Sequence, residues 1–166
     1  MEKKEYQFVF EAFEGLRDLQ EGDMTLLKKA MAATKDAYAP YSRFKVGAAA
    51  LLANGETITG TNQENASFPA GICAERTVLS AAAVLYPGVP VLTLAISYDN
   101  ENGPSDRPIS PCGICRQSLQ ESEQRGGQAI RLVLGGKEGP VFVIPKASYL
   151  LPLAFTAEEL EHKLRK

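Results

Sequence analysis

The sequence lacks any apolar run approaching the ~20 residues that a bilayer-spanning helix requires, and its first residues, Met1-Glu2-Lys3-Lys4-Glu5, form no signal-peptide core. These two absences predict a cytoplasmic protein. Histidine occurs once and cysteine three times in 166 residues. An odd cysteine count with two of the three in a C-x-x-C pair argues against a disulfide framework and for thiolates held by a metal in a reducing compartment. There is no basic cluster either: 18 Lys and Arg against 20 Asp and Glu leave a net charge of −2, so no nucleic-acid or anionic-membrane partner is expected. No internal repeat or low-complexity segment is visible.

What the chain does contain is ordinary globular composition, 45% hydrophobic and 23% charged, and a length that fits one domain spanning 1–166 with a genuine core. Tyr6, Phe8, Phe10 and Ala12 alternate with less apolar residues and predict an edge strand, although Val9 and Phe13 also permit a short helix. Asp23 suits an N-cap, and Met24, Leu27, Met31, Thr34 and Tyr38 then recur on one face of a helix that stops before Pro40. A strand is expected over Val46 to Leu52, then a two-residue Asn54-Gly55 turn and a returning strand over Thr57 to Thr61. After a loop closed by Pro69 and Gly71, Cys73 to Leu85 reads as a buried helix that Pro87-Gly88 ends. Val91 to Tyr98 reads as a central strand, followed by a polar loop over Asp99 to Arg107. Ser110 and Pro111 suit the cap and first position of a helix over Cys112 to Glu123, closed by Gly126-Gly127. Ile130 to Leu134 and Val141 to Ile144 predict two more strands, and Thr156 to Lys166 a charged closing helix. The succession αββαβαββα implies an α/β fold, a mixed sheet with helices on both faces.

All three cysteines fall in two short stretches, Cys73-Ala74-Glu75-Arg76 and Pro111-Cys112-Gly113-Ile114-Cys115-Arg116-Gln117. Three soft ligands are one short of a closed structural zinc site and leave a position open to solvent. Glu75, two residues after the first cysteine, is placed to move protons beside that position without ligating the metal. Each residue alone has a plainer reading. Cys73 would be a small buried hydrophobe, the C-x-x-C pair a redox motif, Glu75 a solvated helix charge and Arg76 its ion-pair neighbour. The joint spacing favours zinc. Cysteines at two helix starts meet free backbone N–H groups and the positive dipole end, both of which favour thiolate.

The pattern C-A-E-R followed by P-C-x-x-C-R-Q is similar to that of the cytidine deaminases, in their small three-cysteine branch, and the resemblance runs from about Tyr38 to Phe155. It implies a three-layer α/β/α fold on a five-stranded mixed sheet. Residues 1–22 would be an N-terminal extension with a possible extra edge strand, 23–155 the family-like core and 156–166 the C-terminal helix. It further implies one Zn²⁺ per chain on Cys73, Cys112 and Cys115, with Glu75 as catalytic base and acid. The implied reaction is hydrolytic deamination of cytidine and 2′-deoxycytidine to the uridines with release of ammonia, a step of pyrimidine salvage. Arg76 would donate to ligand sulfurs, and Arg116 has a less definite role.

For substrate, Asn62-Gln63-Glu64-Asn65 resembles the family's N-x-E-N segment, in which Asn62 and Glu64 would bind the ribose. In Pro40-Tyr41-Ser42-Arg43-Phe44, similar to P-Y-S-x-F, Phe44 would pack on the pyrimidine. The Ala74 backbone would donate to the cytosine carbonyl, and a backbone carbonyl near Ser110 would accept from its amine. Leu151 to Phe155 resembles the L-L-P-x-x-F end, where Phe155 would close over a neighbouring subunit's site. That implies a homotetramer, or a dimer if the added N-terminal segment occupies the interface. Three departures stand out: Ile114 where a small residue is common, a long 99–107 loop, and residues 1–22. Other readings are an aminonucleoside deaminase of the blasticidin-S type, which the N-x-E-N segment disfavours, and a structural zinc module with His162 as fourth ligand. A nucleic-acid-editing deaminase is disfavoured by charge and by the lack of a histidine ligand.

Overall fold

The structure, a computed structural model, describes residues 1–160. His162 and most of the expected C-terminal helix lie outside the described residues, of which Ala157–Glu159 form a single 3₁₀ turn capped by Thr156. The elements are β1 (Glu11–Phe13), α1 (Glu21–Ala33), β2 (Phe44–Leu52), β3 (Thr57–Thr61), α2 (Ala74–Leu85), β4 (Val91–Asn100), α3 (Gly113–Gly126), β5 (Arg131–Gly135) and β6 (Val141–Ile144).

The strands form one sheet in the order β1-β6-β5-β4-β2-β3. β4 and β5 run parallel and the other neighbours antiparallel, so the sheet is mixed: five core strands plus the edge strand β1. Alternate residues of each strand point to opposite faces, and the sequence is apolar on both. Ala48 and Ala50 of β2, Leu94 and Ile96 of β4, and Leu132 and Leu134 of β5 pack with Val78 and Leu79 of α2 and Leu119 of α3. Ala49, Ala95, Val133 and Val143 pack on the other side against Leu26, Leu27 and Ala30 of α1. The alanines of β2 leave room for helices to lie close on both faces, and the result is the expected three-layer sandwich.

The hairpin forms where Asn54-Gly55 predicts it, with Gly55 at φ +87° as such a turn requires. Several boundaries differ from expectation. The edge strand exists but is confined to Glu11–Phe13, paired with Val141 to Val143. Tyr6, Phe8 and Phe10 instead form a ladder of rings leading to Tyr149 and Phe142. Asp23 is not the cap of α1. Gln20 occupies that position, its carbonyl accepting from the Met24 amide, while Asp23 lies buried in the first turn and pairs with Arg131 at the start of β5. α1 ends at Ala33, and a 3₁₀ turn over Thr34–Asp36 leaves Tyr38 exposed. Ser110 does not cap α3 either. Pro111 and Cys112 stay extended and Cys112 is the N-cap, its carbonyl accepting the first helical hydrogen bond from Arg116.

Candidate metal centre and active site

β3 runs toward the site and the chain then doubles back. Gln63 and Ile72 exchange both backbone hydrogen bonds, at 2.9 and 3.0 Å, so the intervening loop is clamped at its base and Cys73 is delivered as the N-cap of α2. Cys112 caps α3 and Cys115 lies in its first turn. Two helix starts thus meet at one point and bring together residues 39 positions apart. The Sγ atoms lie 3.7 Å apart for Cys73 and Cys112 and 3.4 Å for Cys112 and Cys115, and all three fall within 4.8 Å of one another. Tetrahedral metal–sulfur bonds of ~2.3 Å place sulfurs ~3.8 Å apart, whereas a disulfide would need ~2.05 Å. The cluster therefore fits a zinc ion, with three soft donors gathered at the starts of two helices.

The electrostatics suit thiolate formation. Hydrogen bonding from the Cys115 thiol, opposed by burial and aided by Cys112 and the Arg76 charge, lowers Cys73 to about 6. The proton stays on buried Cys115, which shifts upward because it donates to Cys73 and is desolvated. A divalent cation among three sulfurs displaces such protons outright. Glu75, in the first turn of α2, is only 5% exposed. Burial pushes its carboxyl up, the direction wanted in a group that both takes and gives protons near neutrality.

The cluster borders a cavity of about 410 Å³, within the range of small-molecule sites. Cys73, Cys112, Glu75 and Ala74 line it together with Asn62, Glu64 and Ser110, and Phe68, Ile72 and Ile109 supply apolar surface. Asn62 bridges two backbone groups of β2: its Nδ2 donates to the Phe44 carbonyl at 2.9 Å and its Oδ1 accepts from the Val46 amide at 2.8 Å. Glu64 Oε2 accepts from the amides of Tyr41 and Ser42 at 2.9 and 3.2 Å.

The other expected site residues are placed differently. Phe44 stacks on Tyr98, ring centres 4.9 Å apart, and is not part of this cavity wall, where Phe68 is the aromatic. Nothing in the sequence around Phe68-Pro69 signals that role beyond a loop. Phe155 is exposed and away from its own chain's cavity, its carbonyl accepting from Gln117. Among the described hydrogen bonds, none joins Arg76 to a sulfur; its influence on Cys73 is through charge. Arg116 ties Pro111 to Leu150, donating to both carbonyls at 2.9 and 3.0 Å.

Comparison with known proteins points the same way. The sequence profile described as "Cytidine and deoxycytidylate deaminase zinc-binding region" matches residues 20–126. A cytidine deaminase of Halalkalibacterium halodurans is 42% identical over 135 residues, covering 81% of this chain and 95% of the relative. One from Mycobacterium tuberculosis is 36% identical over 144 residues, covering 86% and 97%. Among solved structures, a cytidine deaminase from Burkholderia pseudomallei superposes with a TM-score of 0.69 at 39% identity, covering 82% of this chain and all of that one.

Proposed function

The chain belongs to the cytidine and deoxycytidylate deaminases, and from that membership we infer that it hydrolyses the exocyclic C–N bond of cytidine and of 2′-deoxycytidine. Water is taken up, and uridine or 2′-deoxyuridine and ammonia are released. The observation that carries this reading is the buried Glu75 carboxylate beside three clustered sulfurs at a nucleoside-sized cavity. Cys73, Cys112 and Cys115 would hold the zinc ion. Bound there, zinc would supply Lewis acidity, lowering the pKa of water toward ~7.

Glu75 accepts one proton of the attacking water and passes it to the ring nitrogen next to the attacked carbon; it then takes the second proton from the hydroxyl so formed and delivers it to the departing amine as the uridine carbonyl forms. The Ala74 amide, in the first turn of α2 and without a helical partner, donates to the cytosine carbonyl. The Ser110 carbonyl accepts from the amine. Glu64 keeps Oε1 for a ribose hydroxyl, and Asn62 keeps one N–H, so the sugar end is read by groups that a bare base would leave unpaired. Release of a uridine is the chemistry of a pyrimidine salvage step, and thiolates kept for a metal support the cytoplasm as its compartment. Among the described residues no helix is long and apolar enough to cross a membrane.

Exposed Leu153 and Phe155 on the C-terminal segment, with exposed Ile114 nearby in sequence to the zinc ligands, support a homotetramer in which Phe155 covers a neighbour's cavity. The experiment for the reaction is ultraviolet monitoring of cytidine with purified protein beside a zinc count. One zinc per chain with stoichiometric uridine and ammonia is expected. A zinc-loaded protein that leaves cytidine unchanged would overturn the reading.

A further inference from the structure

The Asp99 to Arg107 loop, which no step of the reaction uses, is fastened to the turn that holds Glu64. The turn over Tyr41 to Phe44 passes through Arg43 at φ 55°, a left-handed conformation that a long side chain adopts only when its surroundings enforce it. Two sets of contacts enforce it from opposite sides. On one, the Tyr41 and Ser42 amides donate to Glu64 Oε2. On the other, the carbonyls of Ser42 and Arg43 accept from the loop: Asn102 Nδ2 donates to the first at 3.0 Å, and the Glu101 amide to the second at 3.1 Å. The Glu101 side chain adds an ion pair with Lys45.

The loop is itself ordered enough to serve as an anchor. Asn100 Oδ1 accepts from the Asn102 amide, the Asn100 carbonyl from the Gly103 amide, and the Ser105 hydroxyl from the Asn100 amide. Buried Ser105 in turn gives its carbonyl to the Lys137 amide. The turn is thus held by Glu64 through its Tyr41 and Ser42 amides and by the β4 loop through its Ser42 and Arg43 carbonyls, while the Arg43 amide donates to the Ala39 carbonyl.

We propose that Asn102 is a positioning residue for ribose recognition: by holding the Ser42 carbonyl it fixes the strained turn whose amides orient Glu64 in the cavity wall. Asn102 lies outside the cavity and touches no reacting group. The inference rests on the ribose reading of Glu64 given above. Losing one grip on the turn lets the Glu64 carboxylate rotate away from the sugar without disturbing Glu75 or the sulfurs, so binding weakens while the chemical step does not.

The test compares steady-state kinetics of Asn102→Ala and Asn102→Asp with those of Glu64→Gln, on cytidine and on 2′,3′-dideoxycytidine, which lacks both lower sugar hydroxyls. Asn102→Asp keeps the size of an exposed side chain while replacing the donor with an acceptor. For both Asn102 variants, KM for cytidine should rise roughly three- to tenfold, the change expected from one net hydrogen bond, with kcat within about twofold. The same variants should leave KM for the dideoxynucleoside unchanged. Unaltered KM in both Asn102 variants beside a raised KM in Glu64→Gln would overturn the inference alone. An unaltered KM for cytidine in Glu64→Gln would overturn the ribose reading and the inference with it. A fall in kcat with KM unchanged, on both substrates, would mean that Asn102 acts on the fold and not on sugar binding.

Discussion

Two carboxylates that line one cavity are shifted in opposite directions because their surroundings differ. Burial raises Glu75, while hydrogen bonding from the Ser42 side chain, with the Tyr41 and Ser42 amides behind it, holds Glu64 below the usual carboxylate range. Glu75→Gln should keep zinc and fold, since glutamine matches the shape, but lose about 10²- to 10⁴-fold in turnover, because an amide cannot relay the proton. Undiminished turnover would assign the relay to another group. For Glu64 the sign runs the other way. A carboxyl lowered in the folded state contributes stability that is complete above the unfolded value of ~4.3 and is lost as pH falls through the folded value. Exchange protection of the Tyr41 and Ser42 amides should therefore fall in acid, after correction for intrinsic exchange, and Glu64→Gln should flatten that dependence. Protection independent of pH in the wild-type protein would mean that these amides are held by something else. That the three cysteines come together was legible in the sequence because cysteines at a helix start constrain their own surroundings. Asp23 was not, since the partner that draws it into the first turn of α1, Arg131, lies 108 residues away.

At the scale of elements, the site exists because α2 lies very close to β3. A Cβ on Gly60 would come within 2.7 Å of the Val78 amide nitrogen and 3.0 Å of the Ala74 carbonyl oxygen, both backbone atoms that cannot swing aside. Gly60→Ala should therefore push the first turns of α2 outward, carrying Cys73 and Glu75 with them. The expected cost is about 1–3 kcal/mol of stability, as for overpacked cores, read as a lowered denaturation midpoint with reduced zinc affinity. A variant with native stability and zinc affinity would show that α2 is free to shift. Helix and hairpin positions were legible where the signal is local: Asn54-Gly55 for the turn, Gly127 at φ 60° closing α3. The strand expected over Tyr6 to Ala12 was misjudged in extent because alternation reveals a face and not a partner. Its partner β6 is only four residues long, so pairing stops after Glu11–Phe13 and the aromatic residues before it find Tyr149 and Phe142 instead. At Ser110 the cap signal was real in type but displaced by two residues, because the helical hydrogen bonds begin at the Cys112 carbonyl.

For the whole molecule, the C-terminal segment holds the strongest reason to expect assembly. Arg116 grips the Leu150 carbonyl and Gln117 the Phe155 carbonyl, so α3, whose start presents two of the three clustered cysteines, also fixes the backbone on either side of a fully exposed Leu153 at φ 57°. A segment tied at both ends while it presents Leu153 and Phe155 to solvent is organised for a surface beyond its own chain. The N-terminal ladder supports the same segment from the other side, since Tyr6 donates to the Tyr149 carbonyl at 3.0 Å and Phe8 packs on the Tyr149 ring. It packs on Phe142 of β6 and on Tyr149 in the turn after it. Closed symmetric assemblies are the common outcome for such chains. Light scattering should therefore give a homotetramer, and Phe155→Ala should raise KM for cytidine by roughly three- to thirtyfold if the ring covers a neighbour's substrate, as loss of a buried aromatic contact would. Mixing chains supplies the sharper readout. Tetramers formed from Phe155→Ala and Glu75→Gln chains should recover activity at sites that combine an intact Glu75 with a neighbour's intact Phe155. A fully active monomer, or mixed assemblies with no recovery, would mean that each chain completes its own site.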